Sequence, residues 1–171
     1  GGHFDEAQQY YARILEQSAS GMVLEPRDST LLSHLRMAYS LRQLGDGAAA
    51  QAAVEQQRLD LKKRIEANVM FPRDYIGEAI AQAMSGNETG VFEALRSAMD
   101  LGLRQMSTFR EPALAALADH PEMIALKAEM QNLLDIEHEK ILQLICHNNP
   151  AYDTWQPRQE TCEGVPDSPQ G

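Results

Sequence analysis

The sequence Gly45-Asp-Gly-Ala-Ala-Ala50 decides the fold that we expect for this chain. A glycine tolerates the backbone conformation that ends a helix, and the alanines after it favour the start of another. A glycine and an alanine five residues later recur in Gly2-His-Phe-Asp-Glu-Ala7. Such junctions predict stacked helical hairpins, an architecture that usually binds other proteins and carries no chemistry.

The composition also favours helices. The 171 residues suffice for one domain with a core, and only 6% of them are aromatic. Ala, Leu, Gln, Glu and Met, which lose little rotamer freedom in a helix, are plentiful. No stretch alternates apolar and polar residues with the Val, Ile and Thr content of a strand. We therefore expect an all-α protein.

Apolar residues at spacings of three and four, separated by turn residues, predict seven helices. Their expected ranges are about 2–18, 28–44 (capped by Asp28 or Ser29), 48–67, 72–85, 89–100, 112–118 and 121–146. Ile65 is expected to be buried near the end of the third helix. On the last helix the expected inward residues are Met123, Leu126, Met130, Leu133, Ile136, Ile141 and Leu144.

The residues around the central turn carry a family resemblance. Ala38, Gly45 and Ala50 stand where a small residue, a turn glycine and an alanine stand in the tetratricopeptide repeat family, and Val54 takes its large apolar position. The small residues allow the helices to cross at about 8–10 Å. The match departs at His34, where the family has a tryptophan. This stretch resembles one complete tetratricopeptide repeat.

Two neighbouring segments extend the resemblance. The residues that match the second half of a preceding repeat are Gly2, Phe4, Ala7 and Tyr11, and those that resemble a third repeat are Ala79, Gly86, Leu95 and Ala98, with Val91 in place of an alanine. The stretch from Phe109 to Met123 is similar to the end-of-array segment of some bacterial signalling proteins. The resemblance implies an α-α superhelix over 1–102 and a capping helical segment over 103–147. The prolines at positions 150, 157, 166 and 169 forbid a continuing helix, so an irregular, Pro-rich tail with a disordered end is predicted over 148–171.

The resemblance implies a binding groove. In this family the first helices of successive repeats line a concave surface that receives a peptide or a partner's helix. The corresponding residues are Leu32, Leu35, Arg36, Tyr39, Arg42, Gln43, Arg73, Ile76, Ile80 and Met84. The arginines would suit an acidic or carboxylate-ended segment, because a guanidinium binds carboxylate in a fork. The alternative is that Leu35, Ile76 and Ile80 are core residues and that the arginines are only solvated.

The sequence predicts no catalytic site, cofactor or nucleic-acid partner. The net charge of −10 disfavours a phosphate-binding surface. The chain has no GxSxG elbow, no Walker loop and no dinucleotide fingerprint. His138 has no second histidine one turn along its helix, so no HExxH metal site is predicted.

The cysteines leave three alternatives open. Cys146 and Cys162 could form a disulfide, which would gain about 3 kcal/mol from restricting the unfolded chain. They could instead remain thiols, or join His138 and His147 at a zinc ion, although their spacing matches no zinc knuckle. A disulfide would imply an oxidising compartment and a periplasmic domain of a membrane-anchored protein, whereas thiols would imply the cytoplasm.

We therefore expect a protein- or peptide-binding repeat module, the sensory or adaptor part of a larger bacterial regulator. The alternative is a self-association module, whose surface is occupied by a second copy or by its own tail through Tyr152 and Trp155. The sequence contains no run of about 18 apolar residues, so we do not expect this fragment to insert into a membrane. Because Gly1-Gly2 falls inside a repeat-like segment, we expect an excised piece whose targeting signals or anchor could lie upstream.

Overall fold

A computed structural model describes residues 3–20, 30–67, 69–147, 159–163 and 165. These residues form helices and connections without a strand, which confirms the all-α prediction for the described part. The α-helices are α1 (Phe4–Ala19), α2 (Thr30–Gln43), α3 (Gly47–Glu66), α4 (Pro72–Met84), α5 (Glu88–Asp100), α6 (Pro121–His147) and α7 (Gln159–Cys162). Two 3-10 turns, Met106–Arg110 and Pro112–Leu117, lie between α5 and α6.

The predicted loop over 19–27, the caps Asp28 and Ser29, and the tail residues Tyr152 and Trp155 lie wholly or mostly outside the described residues. The chain divides into two compact units, Gly1–Leu126 and Lys127–Gly171. The boundary falls inside the segment 103–147 that the sequence assigns to a cap.

Three glycine turns end helices in the first unit in the same way. Gly45, Gly86 and Gly102 have φ angles of +87°, +74° and +91°, which a residue with a Cβ rarely adopts. After α2, the amide of Gly45 donates to the carbonyl of Arg42 at 3.1 Å, and the amide of Asp46 donates to that of Leu41 at 3.0 Å. This pair of bonds is a Schellman motif, and it satisfies carbonyls that the helix end leaves open.

The residue after the glycine begins the next helix in two of these turns. Asp46 accepts a hydrogen bond from the amide of Ala49 at 3.0 Å, and Asn87 accepts one from the amide of Gly90 at 3.2 Å. Each side chain therefore caps the helix that follows. Because one residue closes a helix and opens the next, α2 must turn sharply into α3, and α4 into α5.

The start of α4 is fixed differently. Pro72 is its first residue, where the missing amide hydrogen costs nothing. The carboxylate of Asp74 accepts a hydrogen bond from the amide of Phe71 at 2.8 Å, and its other oxygen lies 3.5 Å from Nη1 of Arg64 on α3. Asp74 is almost fully buried, so the pair compensates a charge removed from water.

Small residues lie at the helix crossings of the first unit. Helix α2 packs against α1, α3 and α4, and α4 packs against α5. Ala38, Ala79 and Ala98 are completely buried. Their small side chains let the helices pack closely, whereas larger side chains would push the helices apart. The prediction that Ile65 is buried is wrong: it is 57% exposed. Helix α3 has 20 residues and α2 has 14, so the last turns of α3 extend beyond α2.

Within the first unit, the side chains of the segment that follows α5 hold it in place. Phe109 and Leu114, one in each 3-10 turn, are buried. The ring of His120 lies 4.6 Å from the ring of Phe92, and Nη2 of Arg96 lies 3.1 Å from Oε1 of Glu122. Met123 and Leu126 are buried as predicted.

The second unit contains the rest of α6 and a disulfide bond. Cys146 is bonded to Cys162, with their Cα atoms 5.6 Å apart. Met130 is buried, but Leu133 is only half-buried, and Ile136, Ile141 and Leu144 are 41%, 57% and 48% exposed. The prediction that these last three face inward is wrong. A helical period assigns them a common face, but burial also requires an element that covers this face.

Candidate functional site

The first unit contains a small apolar cavity, which we call the aromatic cavity. Its volume is about 140 Å³. It is lined by Phe4, Ala7 and Tyr11 of α1, Leu35, Arg36, Tyr39 and Ser40 of α2, Ile80 of α4, and Glu111, Pro112 and Ala113. Three helices and the second 3-10 turn therefore contribute to one site.

Aromatic side chains form much of the cavity wall. The ring centroids of Phe4 and Tyr39 are 6.2 Å apart in an edge-to-face arrangement, which favours attraction between the two rings. Tyr11 is half-buried, and its burial raises the pKa of the phenol, against the effect of the nearby Arg36. The cavity thus offers an apolar surface with aromatic side chains, and the hydroxyl of Tyr11, whose pKa is raised, stays neutral beside Arg36.

A salt bridge closes one side of the cavity. Nη2 of Arg36 donates to Oε1 of Glu111, and Nε of Arg36 lies 3.4 Å from Oε2, so the two groups meet as a fork. The Arg36 side chain is 34% exposed and that of Glu111 is 13% exposed. Burial acts to lower the pKa of Arg36, but the hydrogen bond and the charge of Glu111 outweigh it and raise the pKa. Arg36 therefore stays charged.

A second cavity, which we call the polar cavity, lies on the other side of this salt bridge. Its volume is about 250 Å³. It is lined by Leu32, Arg36, Arg73, Ile76, Gln105, Ser107, Thr108 and Glu111. Because Arg36 and Glu111 line both cavities, the two cavities adjoin at this salt bridge.

The structure brings most of the predicted groove residues to these two cavities. Leu35, Arg36, Tyr39 and Ile80 line the aromatic cavity, while Leu32, Arg36, Arg73 and Ile76 line the polar cavity. Leu32, Leu35, Ile76 and Ile80 are nevertheless buried, with at most 7% of their surface exposed. This burial agrees with the alternative that Leu35, Ile76 and Ile80 are core residues. They face the gap between α2 and α4 and form the floor of the cavities.

The remaining predicted residues lie elsewhere. Nη1 of Arg42 donates to the backbone carbonyl of Met84, so this guanidinium already holds α2 to the end of α4. Arg42 and Met84 line a third cavity of about 270 Å³, together with residues of α3. Gln43 is exposed and lines none of the cavities described here.

Sequence reasoning missed several residues of the site. Phe4 and Tyr11 match the second half of a preceding repeat, and the resemblance gives them no place in the predicted groove. Glu111, Pro112 and Ala113 lie at the start of the short helix predicted over 112–118, which the sequence assigns to the cap and not to the groove. No local pattern pairs residue 111 with residue 36, because the two are 75 positions apart.

A second polar contact involves His34, two residues before Arg36 on α2. Nε2 of His34 is 4.0 Å from Oδ2 of Asp60, and burial lowers the pKa of His34 in spite of this carboxylate. Among the described residues, no group of three His, Cys, Asp or Glu side chains is placed to hold a metal ion. None of the described helices combines the length and apolar character of a membrane span.

Comparison of the chain with protein-family models, with curated proteins and with solved structures gives no match in any of the three. The candidate site therefore has to be interpreted from its own geometry: an apolar cavity with aromatic walls, an engaged arginine and a polar cavity beside it.

Proposed function

We propose that the first unit is a tetratricopeptide-like stack whose aromatic cavity binds an apolar side chain of a partner protein's peptide segment. One observation carries this proposal. The cavity is lined by Phe4, Tyr11 and Tyr39 and lies beside a charged group, Arg36. Peptide-binding sites typically combine a preformed apolar pocket with a few fixed polar groups.

The size of the cavity indicates its occupant. An engineered apolar cavity of about 150 Å³ binds benzene, and the aromatic cavity measures about 140 Å³. It is therefore suited to one side chain of the size of phenylalanine or leucine. Because the walls belong to packed helices, little ordering is required when the ligand enters.

The turns and crossings support the tetratricopeptide-like arrangement. Gly45 and Gly86 end the first helices of two successive hairpins with the same φ range. Ala38, Ala50 and Ala79, at positions where the family has small residues, are at least 96% buried. The wider role that we propose is a sensory or adaptor part of a bacterial regulator. It rests on the resemblance of the segment from Phe109 to Met123 to the end-of-array segment of some bacterial signalling proteins.

A selection from a random twelve-residue peptide library tests the function. The protein is used with its disulfide intact, and the selected peptides are then measured against Ala7→Leu and Ala52→Leu. Ala7 lines the aromatic cavity, so leucine there occupies part of its volume, whereas Ala52 is exposed on α3 and lies outside it. Both substitutions suit a helix.

We expect selected peptides to share an apolar position and to bind Ala7→Leu at least about 10-fold more weakly than the unchanged protein, with Ala52→Leu unaffected. Thermal unfolding by circular dichroism verifies that both variants are folded. The proposal fails if no peptide is enriched, or if the selected peptides bind both variants equally.

We propose self-association through α6 as a second candidate, with a second copy of the chain as the partner. The observation that favours it is the exposure of Ile136, Ile141 and Leu144 on one helix. Sedimentation velocity should show a dimer that the Ile141→Lys variant converts to a monomer. A monomer at all concentrations of the unchanged protein would exclude this candidate.

We also propose that the protein functions in an oxidising compartment, such as the periplasm. The disulfide between Cys146 and Cys162 supports this, because such bonds persist where thiols are not kept reduced. Thiol titration under denaturing, non-reducing conditions should detect no reactive thiol in the native protein. Two reactive thiols in protein prepared from an oxidising compartment would contradict the proposal.

A further inference from the structure

We propose that Glu111 is an internal competitor for Arg36, and that the bound segment carries a carboxylate which replaces it. This inference rests on the proposed function, because the apolar side chain of the same segment would occupy the aromatic cavity. It adds that the segment makes a second contact, through a carboxylate on Arg36, and that Glu111 controls this contact.

The position of the salt bridge is the first argument. Arg36 and Glu111 line both the aromatic cavity and the polar cavity, which therefore adjoin at the fork. While the fork is closed, we expect a ligand in the aromatic cavity to end at it. If the Glu111 side chain rotates away, the two cavities become one continuous groove along α2 and α4.

The backbone around Glu111 makes rotation of the side chain the simplest motion. Its amide donates to the carbonyl of Thr108 at 3.2 Å, and its carbonyl accepts from the amide of Leu114 at 2.9 Å. Thr108, Phe109 and Leu114 are buried on either side. The segment is thus held by contacts that do not involve the carboxylate, so the carboxylate can leave Arg36 without unfolding its own 3-10 turns.

The charge of Arg36 determines what can replace Glu111. A partly buried guanidinium that loses its carboxylate keeps the cost of desolvation without compensation. A neutral ligand group would therefore leave the fork closed, whereas a ligand carboxylate exchanges one fork for another. Arg73 also lines the polar cavity. An acidic group beside an apolar side chain fits both cavities.

Two small probes that differ in one group test this. 3-Phenylpropionate carries a ring and a carboxylate, and 3-phenylpropionamide carries the same ring with a neutral amide. Both are titrated into the ¹⁵N-labelled full chain, and affinities are read from chemical-shift changes. The variants are Glu111→Gln, which leaves an oxygen for Arg36, Arg36→Gln, and the control Glu93→Gln, which removes the same charge from an exposed position on α5.

We expect Glu111→Gln to bind the carboxylate probe at least about 5-fold more tightly than the unchanged protein does, and to bind the amide probe within about 2-fold of it. Glu93→Gln should change neither affinity, and Arg36→Gln should abolish the preference for the carboxylate. In the unchanged protein, the carboxylate probe should shift the Nε–H resonance of Arg36 and the amide resonance of Glu111. This last measurement needs no variant and so does not depend on the folding of one.

The inference is overturned if Glu111→Gln changes both affinities equally, or if the Arg36 resonance responds to the two probes alike. In either case binding of both rings at the aromatic cavity would leave the proposed function standing. If neither probe binds to any form of the protein, the aromatic cavity is not a binding site, and the proposed function fails together with the inference.

Discussion

Replacing Gly45 by alanine should destabilise the first unit. The size of the loss in the free energy of unfolding follows from the backbone conformation of this residue. The φ angle of +87° costs a residue with a Cβ about 1–2 kcal/mol. Alanine also reduces the conformational freedom of the unfolded chain, which stabilises the folded state by about 0.4–1 kcal/mol and offsets part of this cost. No atom lies within 4 Å of the added Cβ, so steric overlap adds nothing. We therefore expect a net loss of about 1 kcal/mol in the free energy of unfolding.

Gly47 provides a matched control two residues away. It begins α3 without a positive φ angle, and an added Cβ there also meets no atom within 4 Å. Gly47→Ala should therefore stabilise the protein by about 0.5 kcal/mol. Urea unfolding followed by far-ultraviolet circular dichroism measures both values. If the two substitutions change the free energy of unfolding equally, the left-handed turn does not contribute as argued; Gly86→Ala provides an independent repeat.

Four further substitutions test other parts of the structure. Asp74→Ala should lower the free energy of unfolding in urea by about 1–2 kcal/mol, because the amide of Phe71 loses its carboxylate partner; an unchanged value would contradict the capping role. Gln57→Met should raise that free energy by about 1 kcal/mol, because neither amide atom of this fully buried side chain has a partner among the described residues; a decrease would show that the amide is satisfied. Cys162→Ser should lower the free energy of unfolding by about 3 kcal/mol, because a loop with a sequence separation of 16 is no longer closed; equal melting curves for the variant and the unchanged protein would argue against the bond. Burial holds the pKa of His34 below 6.5, so the unfolded chain binds more protons near that pH, and stability is lost as the pH falls below 6.5. In parallel thermal melts, His34→Gln should lose less stability than the unchanged protein between about pH 7.5 and pH 5. Identical losses would show that His34 does not cause the loss of stability.

The arginines show that the chemistry of a residue does not reveal its contacts within the chain. The sequence singles out Arg36 and Arg42 as groups for an acidic ligand. In the structure Arg36 is bound to Glu111, and Arg42 donates to the carbonyl of Met84. The first contact occupies the guanidinium of Arg36 within the chain, and the second supports the packing of α2 on α4. Neither contact follows from the chemistry of arginine alone.

The apolar residues of α6 show the same limit for packing. The spacing from Met123 to Leu144 indicates a single face, and the first residues of that face are buried. Ile136, Ile141 and Leu144 continue the pattern but are exposed. Periodicity reports which way a side chain points along its own helix, whereas burial depends on a second element that the pattern does not contain.

The sequence by itself determined the helices α1 to α6 and the sharp turns between α2 and α3 and between α4 and α5, but not α7, which lies in the tail predicted to be irregular. These depend on residues within about one helical turn of each other, as when Gly45 ends α2 and Asp46 caps α3. Tertiary structure decided the candidate site. The cavity walls come from α1, α2, α4 and the segment at Glu111, and the contact between Arg36 and Glu111 joins residues 75 positions apart. Such a pairing arises only when the helices have packed, because nothing in the local sequence of either residue selects the other.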